Sequence, residues 1–379
     1  MHATRRDPWI LSAFGLLLAG LWFQIRYLTQ SWPAGGHVWL QGDWLISLAA
    51  GPIRRGPFGE GLLRLSDMLG LSPLALLIGL QALLVLLIFA GVARLLLAQQ
   101  RGVMAMVLFT PGIFAVVWAI DPISALRKEM IALLALIWLA QPGGGLWRLA
   151  LTGGLMLVGG LGHEIMILLL PAWAITAYLL HPQLIRRPIA LAVVGVVFVL
   201  GAAELFYALR HMRLTDAGPL CAALTQRGLS AEALCGGAIA WLADPQNGTA
   251  KVWLAMQRSW TVWLHPLAWA LAAAPLWRVW RSHRSAQAQS GWLILLAIAP
   301  ICLLYPVGLD WGRWFAVQIT VAVVIMLGLA QRGYLTERSD IKPAERALWL
   351  LSALSWGFLH DPILTGQGLL VRVLGTIVG

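Results

Sequence analysis

Five short polar motifs hold most of the residues in this chain that can do chemistry. They are GDW at Gly42–Trp44, IRRGPFGE at Ile53–Glu60, DPISALRKE at Asp121–Glu129, GHE at Gly162–Glu164 and DWGRW at Asp310–Trp314. Asp43 is flanked by Gly42 and Trp44. An aspartate against an aromatic wall is partly desolvated, which raises its basicity, and a general base needs that to take a proton from a hydroxyl. The plainer alternatives are a solvated loop aspartate or one paired with Arg54. Arg54 and Arg55 precede Gly56, Pro57 and Gly59. A glycine-containing turn lets a phosphate come close, and a guanidinium grips its oxygens in bidentate fashion. Arg127 and Lys128 form a second basic group, with Glu129 as a local partner. Two such groups fit a diphosphate.

Asp310 and Arg313 lie one helical turn apart and can pair. Arg313 also joins the candidate phosphate ligands, and Trp311 and Trp314 offer a surface for stacking a sugar ring or anchoring at a membrane interface. His163 and Glu164 are adjacent, so on a helix they point about 100° apart and do not chelate one metal as an i, i+4 pair would. They read as a polar pair that orients an acceptor, together with Glu60, Asp121 and Asp310. Glu204 and His360–Asp361 are secondary candidates.

The elements that position these residues follow from composition. Hydrophobic residues make up 60% of the 379 and charged residues 11%, which excludes an ordinary soluble domain. Bilayer crossing takes about 20 apolar residues per helix. The expected spans are approximately 9–27, 73–98, 103–120, 129–140, 148–162, 165–181, 188–209, 262–280, 291–308, 314–331 and 346–360. The expected fold is therefore an all-α polytopic transmembrane bundle of about eleven spans, a single integral membrane domain over 1–379. Many of the 21 Trp flank polar motifs or span ends, as interfacial belts require. Met1 to Pro8 is basic and the apolar run after it lacks a small-residue cleavage site, so it reads as a first span with a cytoplasmic N-terminus. That orientation puts Arg94, Arg101, Arg148, Arg186, Arg187, Arg278, Arg281, Arg284 and Arg332 through Arg346 in short basic cytoplasmic loops. All five motifs then emerge on the opposite side. The net charge of +11 is what orients a multispan chain and meets anionic lipid. No nucleic-acid module is visible.

Two outer loops are large. The first, 28–72, carries Leu45–Ile53 and Leu62–Leu69, which are too short to span and are expected at the interface as amphipathic or re-entrant helices. The second, 210–260, holds Cys221 and Cys235, a disulfide pair if that side is oxidising. Cys302 sits in a span as a small packing residue. Gly153–Gly154 and Gly159–Gly160 predict close helix packing. Asn247-Gly248-Thr249 fits a glycosylation sequon, a triplet common by chance. There is no metal signature, no HExxH and no GxSxG.

With its acid in the first outer loop, Asp43, and its outer arginines Arg54, Arg55, Arg127 and Arg313, the chain resembles bacterial polytopic glycosyltransferases of the GT-C type and polysaccharide polymerases. It differs from many of them in having no large soluble C-terminal domain. The resemblance implies glycosyl transfer from a polyprenyl-phosphate- or diphosphate-linked sugar at the outer face of a bacterial inner membrane. Asp43 would be the base, with Arg54, Arg55, Arg127, Lys128 and Arg313 on phosphate. The partners are a lipid-linked saccharide and membrane lipids, with no cofactor required by the sequence and a divalent cation left open. A transporter or flippase for an anionic lipid or glycan would explain the arginines too, although transporters usually bind near the midplane between repeated halves. A structural subunit of an envelope assembly is the third reading.

Overall fold

The computed structural model describes residues 7–99, 102–244, 248–285, 289–338, 340–361 and 365–378. The basic start before Asp7, Arg101 and Asn247 of the sequon lie outside them. The chain is mostly helical. The first half contains α1 (Pro8–Ser31), α2 (Gly56–Leu69), α3 (Pro73–Leu97), α4 (Phe114–Ile120), α5 (Glu129–Ala140) and α6 (Leu146–Gly160). Next come α7 (Ile165–Leu168), α8 (Leu170–Leu180), α9 (Pro182–Ile185), α10 (Pro188–Arg210), α11 (Gly218–Gln226), α12 (Ala231–Leu234) and α13 (Thr249–Arg258). The last are α14 (His265–Ser282), α15 (Ser290–Ile298), α16 (Trp311–Gln331), α17 (Pro343–Ser355) and α18 (Leu369–Val378). Two antiparallel pairs of three-residue strands complete the set: β1 (His283–Ser285) with β2 (Leu335–Glu337), and β3 (Trp356–Phe358) with β4 (Thr365–Gln367).

Among the described residues four helices, α1, α3, α10 and α16, are long and apolar enough to cross a membrane. The expected count of eleven is not reproduced. The 129–140 and 148–162 segments form helices of 12 and 15 residues, and other expected spans are broken. The 103–120 segment is a 3-10 turn over Gly102–Leu108 followed by α4. Pro111 supplies no N–H there, and the Thr110 hydroxyl accepts from Gly112 N (3.2 Å) instead of leaving that amide to a helix. The 346–360 segment stops being helical at Ser355 and continues extended as β3. Leu45–Ile53 is not a second interfacial helix either: helix ends at Leu45, and Leu45, Ile46, Ser47 and Ile53 are buried in irregular backbone.

The core forms around α16, which is buried on nearly every face from Trp311 to Leu329 and packs on α3, α4, α5, α8 and α15. Helix α5 is its central neighbour, packing also on α3, α6 and α8. By contrast α10 buries only Ala190, Val197, Gly201 and Ala208, and turns Val199, Phe206 and Leu209 outward. The glycines of α6 act as predicted at three of four positions. A Cβ at Gly153 would meet Val197 at 2.8 Å, one at Gly159 would meet Met166 at 3.1 Å, and one at Gly160 would strike Glu204; Gly154 faces open space. Cys302 is exposed rather than packed inside, with its Sγ accepting from Gln318 Nε2 at 3.3 Å.

Candidate functional site

The polar motifs come together because tight backbone bends bring their loops across the start of α5. Arg55 adopts a left-handed φ of 68° as it enters α2, and Leu126 does the same at 55° just before Arg127. Non-glycine residues rarely take that conformation, and they keep it only where neighbours enforce it. At Leu126 the enforcement is visible: its carbonyl accepts from Trp44 Nε1 (2.8 Å) and from Gln81 Nε2 (2.8 Å). Gln81 is a buried amide inside the apolar helix α3, and it also bonds Leu40 O and Gln41. At α2, Gly59 lies directly on the backbone of Trp44 and Ile46, where any side chain would collide. The glycines of IRRGPFGE thus serve the close approach of two loops. Trp44, expected as a wall beside a reactive aspartate, is a fully buried scaffold residue edge-on to Phe58 (5.6 Å between ring centres).

A continuous ionic cluster results. Asp43 Oδ1 accepts from Arg55 (3.1 Å), and its Oδ2 lies 3.8 Å from both Arg127 Nε and Lys128 Nζ. Glu164 holds Arg54 (3.2 Å) and Arg55 (3.2 Å). Lys128, fully buried, donates to Gly162 O at 2.9 Å. Glu129 pairs with Arg313 (2.7 Å) rather than with its sequence neighbours, and Arg313 also holds Asp310 (2.6 Å). The expected local pairing of Glu129 is therefore replaced by a link between the N-termini of the two central helices. Five cations, Arg54, Arg55, Arg127, Lys128 and Arg313, meet four carboxylates, Asp43, Glu129, Glu164 and Asp310.

The ion pairs around Asp43 oppose the raised basicity expected for it. Burial opposes its ionisation, but Lys128, Arg127 and Arg55 outweigh that and hold its carboxyl well below the usual range. It is a weak base. Glu164 behaves alike: burial raises its pKa, Arg55 and Arg54 lower it more, and it settles at about 2. Burial draws Lys128 down to about 8 despite Asp43. Burial also lowers His163 well below its ordinary value, with Arg55 adding to the effect. The His163 Nδ1 accepts from Ile165 N (3.3 Å) and also lies 3.3 Å from Glu164 Oε2, as expected of the pair, while its Nε2 lies 4.0 Å from Glu129.

One face of this cluster opens on a cavity of about 350 Å³. Arg54, Arg55, Arg127, His163, Glu164 and Asp310 line its polar side, with Trp39, Trp241 and Trp314 around them. Leu168 of α7, Leu205 and Leu209 of α10, and Leu304 and Val307 before α16 form an apolar wall. Arg127 is the informative residue. Its side chain is 4% exposed, it makes no hydrogen bond, and its Nε and Nη1 are buried without an acceptor. Buried guanidinium donors are costly to leave unmatched, and the nearest carboxylate oxygen to Arg127 Nε is that of Asp43 at 3.8 Å.

Of the other expected site residues, Asp43, Lys128 and Arg313 sit behind the cavity wall and do not line it. Glu60 is turned away, paired with Arg64 at 2.8 Å and accepting from Leu48 N. Asp121 also stands behind the wall, caps its own turn through Ile123 N (3.0 Å) and Ser124 Oγ (2.7 Å), and holds His360, which does line the cavity. Trp39, Trp241, Met212 and Leu242 were not singled out by the sequence. They enter because residues from 211 on fold back over the first loop, with Arg54 N donating to His211 O (2.8 Å) and Ala238 N to Val38 O (3.2 Å). The Cys221–Cys235 disulfide ties α11 to this roof. Among the described residues no group of three His, Cys, Asp or Glu side chains is placed to hold a metal ion.

Fold and site together define a class: an apolar, mostly helical protein with four helices able to cross a membrane and an arginine-rich cavity at the N-termini of its central helices. No family model, no curated protein and no solved structure matches the chain.

Proposed function

We propose that this chain is a multi-pass membrane glycosyltransferase of about eleven apolar segments, acting on a sugar linked to polyprenyl phosphate or diphosphate. Its N-terminus would be cytoplasmic and its cavity would face the exterior of a bacterial inner membrane. The observation that carries the reading is Arg127, a buried cation with no hydrogen bond and Asp43 at 3.8 Å, on a cavity also lined by apolar side chains. The cavity lies near the lower end of the range for ligand sites, roughly 300–1,000 Å³. It has room for a sugar phosphate head but not for a polyprenyl tail. The tail would leave along Leu168, Leu205 and Leu209 towards the outward apolar surface of α10, which water would not tolerate at that size. Arg127 and Arg54 would take the phosphate, and Trp314, Trp39 and Trp241 would flank the sugar.

The test is mass spectrometry of the lipid-linked saccharides in cells lacking this chain, complemented with wild type or Arg127→Ala. One defined lipid-linked intermediate should accumulate, and wild type should clear it while Arg127→Ala should not. An unchanged pool in every strain defeats the proposal.

A further inference from the structure

Glu164 and Asp310 on the cavity are held as weak bases by arginines, so a transfer that needs a proton taken from a hydroxyl calls for another acceptor. The lining of the cavity supplies one. His360 lines it, just beyond β3, and its Nδ1 lies 2.9 Å from Asp121 Oδ2. The same oxygen receives the His360 backbone N–H (2.5 Å) and Ser124 Oγ–H, which fixes the carboxylate from three directions. The two residues are 239 positions apart in sequence. An aspartate on Nδ1 selects the tautomer with its proton there and leaves Nε2 as the basic nitrogen. His360 Nε2 has no partner among the described residues, and the side chain is 33% exposed.

We infer that Asp121 and His360 form an acid–base dyad at the cavity lining, with His360 as the catalytic base for an acceptor hydroxyl and Asp121 as its positioning residue. The inference rests on the transfer reading above. In the step, the acceptor O–H proton passes to His360 Nε2 while the hydroxyl oxygen forms a bond to the anomeric carbon of the sugar. The bond from that carbon to the phosphate oxygen breaks, and its electron pair leaves on the phosphate, whose added charge Arg127 receives. The imidazolium is held by Asp121 and then releases its proton to water. Burial alone would lower the His360 pKa, but Asp121, then Asp310 and Asp361, raise it above the ordinary histidine value. The rate should therefore fall on the acid side as His360 becomes protonated.

The test uses the full chain in lipid nanodiscs and the lipid extract of cells lacking it as substrate. The initial rate of consumption of the accumulated lipid-linked saccharide is followed across pH, and polyprenyl diphosphate is the binding probe. His360→Gln should lower the rate roughly 100-fold or more, the usual contribution of a general base, with binding of the probe within twofold of wild type. Asp121→Asn should lower the rate and move the acid limb of its pH profile to lower pH, because the charge that raises the His360 pKa is gone. A wild-type rate in His360→Gln overturns the dyad and leaves the transfer reading standing. A slower Asp121→Asn with an unmoved acid limb also overturns it, by giving Asp121 a structural part only. No turnover by wild type overturns the transfer reading and the dyad with it.

Discussion

Replacing Asp43 by Asn separates structure from catalysis at the centre of the cluster. Asp43 is fully buried, and its carboxylate is shared by Arg55 at 3.1 Å and by Arg127 and Lys128 at 3.8 Å. One such contact is worth about 4 kcal/mol at an effective dielectric near 20. Removing one member of a buried pair typically costs about 3–5 kcal/mol, because the remaining charge stays uncompensated. Lys128, already drawn down to about 8 by burial, loses its strongest counter-charge. Asp43→Asn should thus lower the free energy of reversible unfolding in mixed detergent and SDS by about 3–5 kcal/mol. Asp43→Asn combined with Lys128→Met should recover part of that, since one of the three cations around it leaves with the carboxylate while Arg55 and Arg127 stay. Recovery should stop about 1–3 kcal/mol short, because Gly162 O loses the Lys128 donor. A loss under about 1 kcal/mol, or a double variant whose loss is the sum of the single ones, refutes the argument. Either result would return Asp43 to the surface, where charge pairs are worth little.

Three further outcomes follow from the same geometry. Arg127→Ala should weaken binding of polyprenyl diphosphate about ten- to a hundredfold, the worth of one charged hydrogen bond. Arg127→Lys should not restore it, since an ammonium lacks the planar fork; titration in nanodiscs measures both, and undiminished affinity counts against Arg127 as the anion ligand. Glu164 is held at about 2, below its ordinary 4.5, so its pairing with Arg54 and Arg55 stabilises the fold above pH 4.5 and fades as pH falls towards 2. The stability gap between wild type and Glu164→Gln should therefore be constant from pH 5 to 8 and shrink below, as read by unfolding at each pH. Opening the Cys221–Cys235 loop, with a sequence separation of 14, should cost about 3 kcal/mol. Limited proteolysis after reduction should show the new cuts in 211–260, where the roof is tied, and cuts spread over the whole chain would contradict that assignment.

Much of this site was legible in the sequence. Charged residues are rare in an apolar chain and costly near its helices, so RR, RKE, HE and DWGR announced themselves by type alone. Alternatives raised by spacing also held, as with the Asp310–Arg313 pair and the Cys221–Cys235 bridge. What sequence could not assign was the partner of each charge. By type and spacing Asp43 suits Arg54, yet it lies on Arg55; Glu129 suits its sequence neighbours, yet it bridges to Arg313. Those choices depend on left-handed bends at Arg55 and Leu126 and on glycine contacts at Gly59, none of which has a periodic signal.

The sequence by itself determined the apolar helical character and the residues available for chemistry, because hydropathy and residue type act locally along the chain; it did not separate the four long helices from the other expected spans. Only the tertiary structure decided which of them meet. It kept Asp43, Lys128 and Arg313 off the cavity lining, put Arg127 on it with Asp43 at 3.8 Å and no hydrogen bond, paired Glu60 with Arg64 and joined Asp121 to His360. The reason is physical: a charge in a low-dielectric interior is governed by neighbours within about 4 Å. Those neighbours come from packing between segments up to 239 residues apart, which no local pattern encodes.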